Sequence, residues 1–174
     1  MLKPLTMNDM AINDLIINNL EFAQAQQTLT GEIDALKCER LAETLGTNSS
    51  LGGTGAHISF KLTGTAKQLR NPSLQLRIDA KLPVICQRCL DEMLVHLNLD
   101  FDYIVCKELP IETDENDDTD WLEAAPEMNL QALIEDELLL AMPIAPMHDH
   151  DCSKQSMQSG EKPNPFAALK DLIK

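Results

Sequence analysis

The sequence predicts an α+β fold in which an antiparallel β-sheet meander, at about residues 56–106, is packed by helices. Two observations predict it. Apolar and polar residues alternate with period two over three consecutive stretches, as in antiparallel strands that bury one face. Apolar residues then recur with period 3.6 over about residues 129–142, as in an amphipathic helix. A sheet with one apolar face needs such a helix to cover it.

Three alternating stretches define the predicted meander. The first places Ile58, Phe60 and Leu62 on one face, and the turn signal Asn71-Pro72 separates it from the second. The apolar positions of the second and third stretches are Leu74, Leu76, Ile78, Ala80, Leu82 and Val84, and then Val95, Leu97, Leu99, Phe101, Tyr103 and Val105.

Shorter elements are predicted before the meander. Asn8 can cap a helix that runs through Asn19, and Asp34 can cap a second helix that Gly46 ends. A strand is predicted between these helices, at about residues 28–33. The N-terminal third therefore combines helices with one strand.

After the meander, Asn129 can cap the long helix and Pro143 ends it. Residues 112–120 carry six acids in nine positions and are predicted to form a solvated acidic loop. Residues 153–163 are predicted to form a polar linker before a short C-terminal helix. The chain of 174 residues is 44% hydrophobic, enough for a single domain over residues 1–174.

The net charge bounds the class of partner. The chain has 14 Lys and Arg against 28 Asp and Glu, which gives a formal charge of −14. An acidic surface repels phosphate, so protein partners or a small local RNA contact are favoured over a strong grip on nucleic acid.

The predicted compartment is the cytoplasm. No apolar run reaches the roughly 20 residues that cross a bilayer, and the N-terminus offers only Lys3 as a basic residue, which predicts neither a membrane span nor a signal peptide. The five cysteines are therefore expected to be reduced thiols or metal ligands rather than disulfides.

The sharpest local feature is Cys86-Gln87-Arg88-Cys89, between two alternating stretches. Two thiolates at i and i+3 in a hairpin tip provide half of a tetrahedral Zn²⁺ site, and two residues among His148, Cys152 and His150 would complete it. Against zinc stand the 58 residues between the clusters and the absence of a Gly in the turn. Zinc and plain reduced thiols both remain open, and a thioredoxin-like redox pair is disfavoured because strand alternation follows Cys89.

Other constellations predict no catalytic site. Glu135, Asp136 and Glu137 are consecutive, so they point in different directions on a helix, which favours a solvated acidic face over a metal or acid–base centre. The polar sheet face gathers a modest basic patch without aromatic residues for base stacking. Its members are His57, Lys61, Arg77, Lys81 and His96.

The order of these motifs resembles the YceD family. A long strand that ends in Cys-Gln-Arg-Cys, then a second strand and an acidic loop, is similar to the middle of these proteins. The run from Leu133 to His148, with its Pro-x-x-Pro-x-His exit, resembles the family's signature helix. The ending from Lys162 to Leu169 is also similar, so the resemblance covers most of residues 56–174.

The resemblance implies a non-catalytic ribosome-biogenesis factor that supports the synthesis, processing or stability of large-subunit (23S) ribosomal RNA. A ribosomal protein or a pre-ribosomal particle is the implied partner. Other branches of the family carry further cysteine pairs near His148 to Cys152, which implies that this region partners Cys86 and Cys89. Two alternatives are a metal-dependent RNA-processing enzyme that uses the acidic helix, and a zinc-stabilised adaptor that binds one ribosomal protein.

Overall fold

The computed structural model describes residues 5–6, 15–45, 56–65, 71–109 and 120–153. Most of the predicted acidic loop, the polar linker after Ser153 and the C-terminal helix lie outside these residues. None of the described helices is long and apolar enough to span a membrane. The elements are β1 (Leu5–Thr6), β2 (Ile16–Ile17), α1 (Asn19–Gln24), β3 (Thr28–Asp34), α2 (Glu39–Thr44), β4 (His57–Thr65), β5 (Ser73–Ile85), β6 (Glu92–Cys106), β7 (Asp120–Glu123), β8 (Met128–Asn129) and α3 (Leu130–Ala141).

The predicted antiparallel meander is confirmed. The main sheet has the strand order β1-β3-β4-β5-β6-β7, and β3 to β6 pair antiparallel with their neighbours. Leu62 pairs with Leu76, and Leu76 pairs with Phe101, so the apolar phases of three strands share one face. The strands at the two edges, β1 and β7, pair in parallel and were not predicted. They are too short to show a period-two pattern.

Helix α3 is also confirmed. The side chain of Asn129 accepts a hydrogen bond from the Ala132 amide at 3.1 Å, which caps the helix, and the helix ends just before Met142 and Pro143. Its side chains at i, i+4 and i+8 are fully buried against the sheet; they are Leu130, Ile134 and Leu138. Burying each of them contributes about 1.5–3 kcal/mol.

The helix predicted from Asn8 through Asn19 is wrong over residues 15–18. Residues 8–14 lie outside the described residues. Ile16–Ile17 form β2, which pairs antiparallel with Met128–Asn129, and the helix begins only at Asn19. Two consecutive β-branched residues favour extended backbone when a pairing partner is present. The Asn18 side chain then caps α1 by accepting from the Glu21 amide.

Asn19 fixes α1 to the connection between β7 and β8. Its side chain is fully buried, donates to the carbonyl of Glu123 at 2.8 Å and accepts from the Ala125 amide at 2.9 Å. On its other side α1 packs directly on β4, where a Cβ at Gly64 would lie 2.5 Å from the Phe22 carbonyl oxygen. The side-chain amide of Asn19 therefore joins α1 to a segment more than 100 residues away in the sequence.

The predicted strand at residues 28–33 is confirmed as β3, but the continuous helix from Asp34 is wrong. Asp34 caps a 3₁₀ turn, Ala35–Lys37, by accepting from the Leu36 amide at 3.0 Å. The chain becomes extended at Cys38 before α2 begins. The predicted helix is broken because Asp34 closes a tighter turn than the α-helix requires.

Candidate metal centre

The Cys86–Cys89 segment forms the connection between β5 and β6. The Cys86 amide donates to the carbonyl of Asp91 at 2.9 Å, and the Leu90 amide donates to the carbonyl of Cys86, also at 2.9 Å. These bonds close a compact turn. Leu90, directly after the second cysteine, has a φ of 63°. It therefore takes the left-handed conformation that glycine adopts most readily, in a turn that contains no glycine.

The second candidate ligand segment, residues 148–152, reaches this turn from the end of α3. Pro143 stops the helix, and the extended chain after it passes beside the turn, where the Gln87 amide donates to the carbonyl of Pro146 at 2.8 Å. Since this bond lies just before His148, it delivers the next residues to the cysteines. The position of α3 on the sheet therefore decides where the second segment ends.

Four donor atoms converge here, from Cys86, Cys89, His148 and Cys152, all within 4.8 Å of one another. The sulfurs of Cys86 and Cys152 are 3.7 Å apart, and the Cys89 sulfur is 3.4 Å from Nδ1 of His148. A tetrahedral ion with Zn–S bonds of about 2.3 Å and a Zn–N bond of about 2.0 Å separates its ligands by about 3.5–3.8 Å. These two distances fit one ion.

The thiols compete with one another for charge. Burial alone raises the pKa of Cys86, but hydrogen bonds from the amides of Cys89, Arg88 and His148 together lower it to about 5. The Asp91 amide lowers the pKa of Cys89, yet burial and the sulfurs of Cys152 and Cys86 raise it to about 11. Thiolates this close repel each other, so a divalent cation among them would stabilise all three in the charged form.

Arg88 links the two halves of the cluster. Its Nη2 donates to the carbonyls of His148 at 2.6 Å and His150 at 2.7 Å, and its Nε donates to the Cys152 sulfur at 3.1 Å. No role for Arg88 was predicted from the sequence. The sequence feature that could have indicated a role is the position of this cation between two cysteines of an acidic chain.

His150, the alternative ligand, is not one of the four clustered donors. Its ring lies against that of His148, with the ring centroids 4.9 Å apart, while its carbonyl accepts from Arg88. It therefore packs beside the cluster and orients a ring that belongs to it.

Leu90 offers a test of the turn. Leu90→Gly is expected to raise the free energy of unfolding by about 0.5 kcal/mol, because the strain of a left-handed L-residue exceeds the entropic cost of glycine. Little packing is lost, since Leu90 is 71% exposed. The matched control is Leu94→Gly in β6, also an exposed leucine, which is expected to be destabilising. Urea denaturation measures both; equal losses would contradict the strained turn.

The three consecutive carboxylates of α3 all have partners in other elements of the fold. Glu135 accepts from the amides of Arg40 and Leu41 at the start of α2, and Asp136 pairs with the Arg40 guanidinium. Glu137 accepts from the Tyr103 hydroxyl at 2.8 Å, and burial together with this carboxylate raises the pKa of Tyr103. The trio therefore joins α3 to α2 and to β6 instead of converging on one ion.

Carboxylates interrupt the basic patch on the outer sheet face. Arg77 donates to Asp100 at 3.0 Å, and Nε2 of His96 lies 2.8 Å from Asp79. Nε2 of His57 is 3.6 Å from a Glu32 oxygen. This neutralisation weakens any attraction of the face for phosphate. The other predicted members of the patch are Lys61 and Lys81.

The sequence is similar to that of a known protein family. Residues 74–173, more than half of the chain, match the family of the large ribosomal RNA subunit accumulation protein YceD. The chain belongs to the YceD family. The YceD match includes the β5–β6 hairpin, α3 and all four clustered donors. A curated large ribosomal RNA subunit accumulation protein YceD from Haemophilus influenzae is 28% identical over 175 residues, which cover 91% of this chain and 94% of the relative. No solved structure matches the chain.

Proposed function

We propose that this protein is a ribosome-biogenesis factor that supports the accumulation of large-subunit (23S) ribosomal RNA, through its synthesis, processing or stability, without catalysing a reaction. The observation that carries the proposal is the YceD match over residues 74–173. The relative from Haemophilus influenzae supports it, because the similarity extends along nearly the whole length of both chains.

The partner in this proposal is a ribosomal protein or a pre-ribosomal particle, met in the cytoplasm where bacterial ribosomes assemble. A formal charge of −14 complements basic ribosomal proteins and steers them to the surface. The same charge repels bare RNA, and the ion-paired sheet face offers phosphates little compensation. Protein contacts therefore dominate over direct RNA contact.

The cluster of Cys86, Cys89, His148 and Cys152 is the proposed site of a structural Zn²⁺. Three thiolates and one imidazole are donors that suit zinc, and the Cys86–Cys152 and Cys89–His148 separations match a tetrahedral ion. Four protein ligands leave no open position for a substrate, so the ion would link the β5–β6 turn to the chain after α3. In this form the protein is a zinc-stabilised adaptor.

The alternative of a metal-dependent RNA-processing enzyme has no support in the site. Such a mechanism needs carboxylates that converge on one ion, whereas Glu135 and Asp136 both pair with Arg40 and Glu137 accepts from the Tyr103 hydroxyl. Incubation of pure protein with precursor rRNA and Mg²⁺ separates the two functions. Specific cleavage that a chelator abolishes, and that Asp136→Ala removes, would favour the enzyme.

Depletion of the protein tests the proposed function. We expect the level of 23S rRNA to fall while 16S rRNA is largely spared, because the family is named for the large subunit. Quantitative RNA blotting and subunit profiles measure both. Re-expression of the natural chain, or of a Cys106→Ser control outside the clustered donors, is expected to restore 23S rRNA. Equal loss of both rRNAs, or no loss, would contradict the proposal.

A further inference from the structure

Arg88 lies in the turn of the first ligand pair, but its guanidinium hydrogen-bonds to the second ligand segment. Its guanidinium contacts the carbonyls of His148 and His150 and the sulfur of Cys152, at 2.6, 2.7 and 3.1 Å. The contacted groups are 60 to 64 positions away in the sequence. Hydrogen bonds from a charged donor are roughly twice as strong as neutral ones.

Two of these bonds hold backbone rather than side chains. Carbonyls at residues 148 and 150 accept from the same Nη2, so the guanidinium fixes the path of the chain between the third and fourth donors. The Gln87 amide, which donates to Pro146, adds a neighbouring tether from the same turn. Together they hold the second segment against the turn by contacts that need no ion.

The third bond places the positively charged guanidinium beside the Cys152 sulfur. A divalent ion with three thiolates and one neutral imidazole carries a net charge of −1, which is unfavourable in an acidic chain. The Arg88 guanidinium at the Cys152 sulfur compensates this charge. Outer-shell groups that orient and neutralise ligands in this way change metal affinity by about 10–100-fold.

We propose that Arg88 is the positioning residue of the metal centre: it locks the His148–Cys152 segment onto the Cys86–Cys89 turn before an ion binds, and it balances the charge of the loaded site. This inference rests on the proposed zinc centre. The lock itself is a property of the metal-free chain, so it can be measured separately.

Zinc affinity of the full chain is the first readout. Arg88→Ala is expected to weaken Zn²⁺ binding by about 10–100-fold in a chelator competition. Arg88→Lys keeps the charge but not the planar fork, so we expect it to recover only part of the affinity. The matched control is Arg77→Ala, which removes an exposed, ion-paired arginine about 30 Å away along β5 and should leave affinity unchanged.

Hydrogen exchange of the metal-free chain is the second readout. Amides of the peptide that spans residues 146–152 are expected to exchange faster in Arg88→Ala, with no change in β4 or β5 and none in Arg77→Ala. Unchanged exchange together with zinc affinity within threefold of the natural chain would overturn the role of Arg88. If the natural chain binds no zinc, the proposed metal centre fails, and exchange alone then decides whether Arg88 is the lock.

Discussion

Replacing Glu135 with alanine is expected to lower the free energy of unfolding by about 3 kcal/mol. Helix α2 has no side-chain cap from its own N-cap residue, Cys38. Instead, Oε1 of Glu135 accepts from the amides of Arg40 and Leu41 at 2.8 and 2.9 Å, and Oε2 accepts from the Arg40 guanidinium. The variant leaves the donors at the start of this helix unpaired in a largely buried position.

Two neighbouring substitutions isolate this cap. Glu135→Gln retains an amide oxygen that can accept hydrogen bonds at the start of α2. Its free energy of unfolding is therefore expected to fall less than that of Glu135→Ala. Asp136→Asn removes only an exposed contact with Arg40 and should leave stability unchanged within error. Urea denaturation of the three variants gives the comparison. If Glu135→Ala has the same free energy of unfolding as Asp136→Asn, α2 does not depend on the Glu135 carboxylate.

The reference state is the natural chain at a free zinc concentration about a thousandfold above the Kd. Relative to it, removal of zinc, or the double change Cys86→Ser and Cys89→Ser, is expected to lower the Tm by about 10 °C. The proposed ion links two segments that are 59 positions apart at Cys89 and His148, and the unfolded chain cannot preform the site. Calorimetry with and without chelator measures the shift. Elemental analysis of protein purified without chelator is expected to give one zinc per chain.

The matched control is Cys106→Ser, because Cys106 is a half-buried cysteine near the carbonyl of Leu122 and is not one of the clustered donors. It should retain both the zinc and its effect on the Tm. If the natural protein contains no zinc and its Tm does not change when chelator is added, the proposed metal centre is wrong. In that case the four side chains form a contact between reduced thiols and an imidazole.

Elements with a strong local pattern could be predicted from the sequence. The meander follows from alternation over strands of 9, 13 and 15 residues, and α3 follows from a 3.6-residue period between the Asn129 cap and Pro143. Each signal depends on residues a few positions apart. The helix predicted over Ile16–Ile17 failed for the complementary reason, since pairing with Met128–Asn129 outweighed the local pattern.

The candidate site divides in the same way. Local patterns in the sequence were enough to predict the donor types, the turn that brings Cys86 near Cys89, and the proline that ends the helix before His148. The packing of α3 on the sheet, with its C-terminal end at that turn, depends on tertiary contacts, and it places the sulfurs of Cys152 and Cys86 3.7 Å apart. The lock by Arg88 and the cap by Glu135 were equally beyond local patterns, because each joins residues 60 or more positions apart. Such contacts depend on the packing of whole elements, and no periodicity or cap encodes which distant backbone group a side chain will meet.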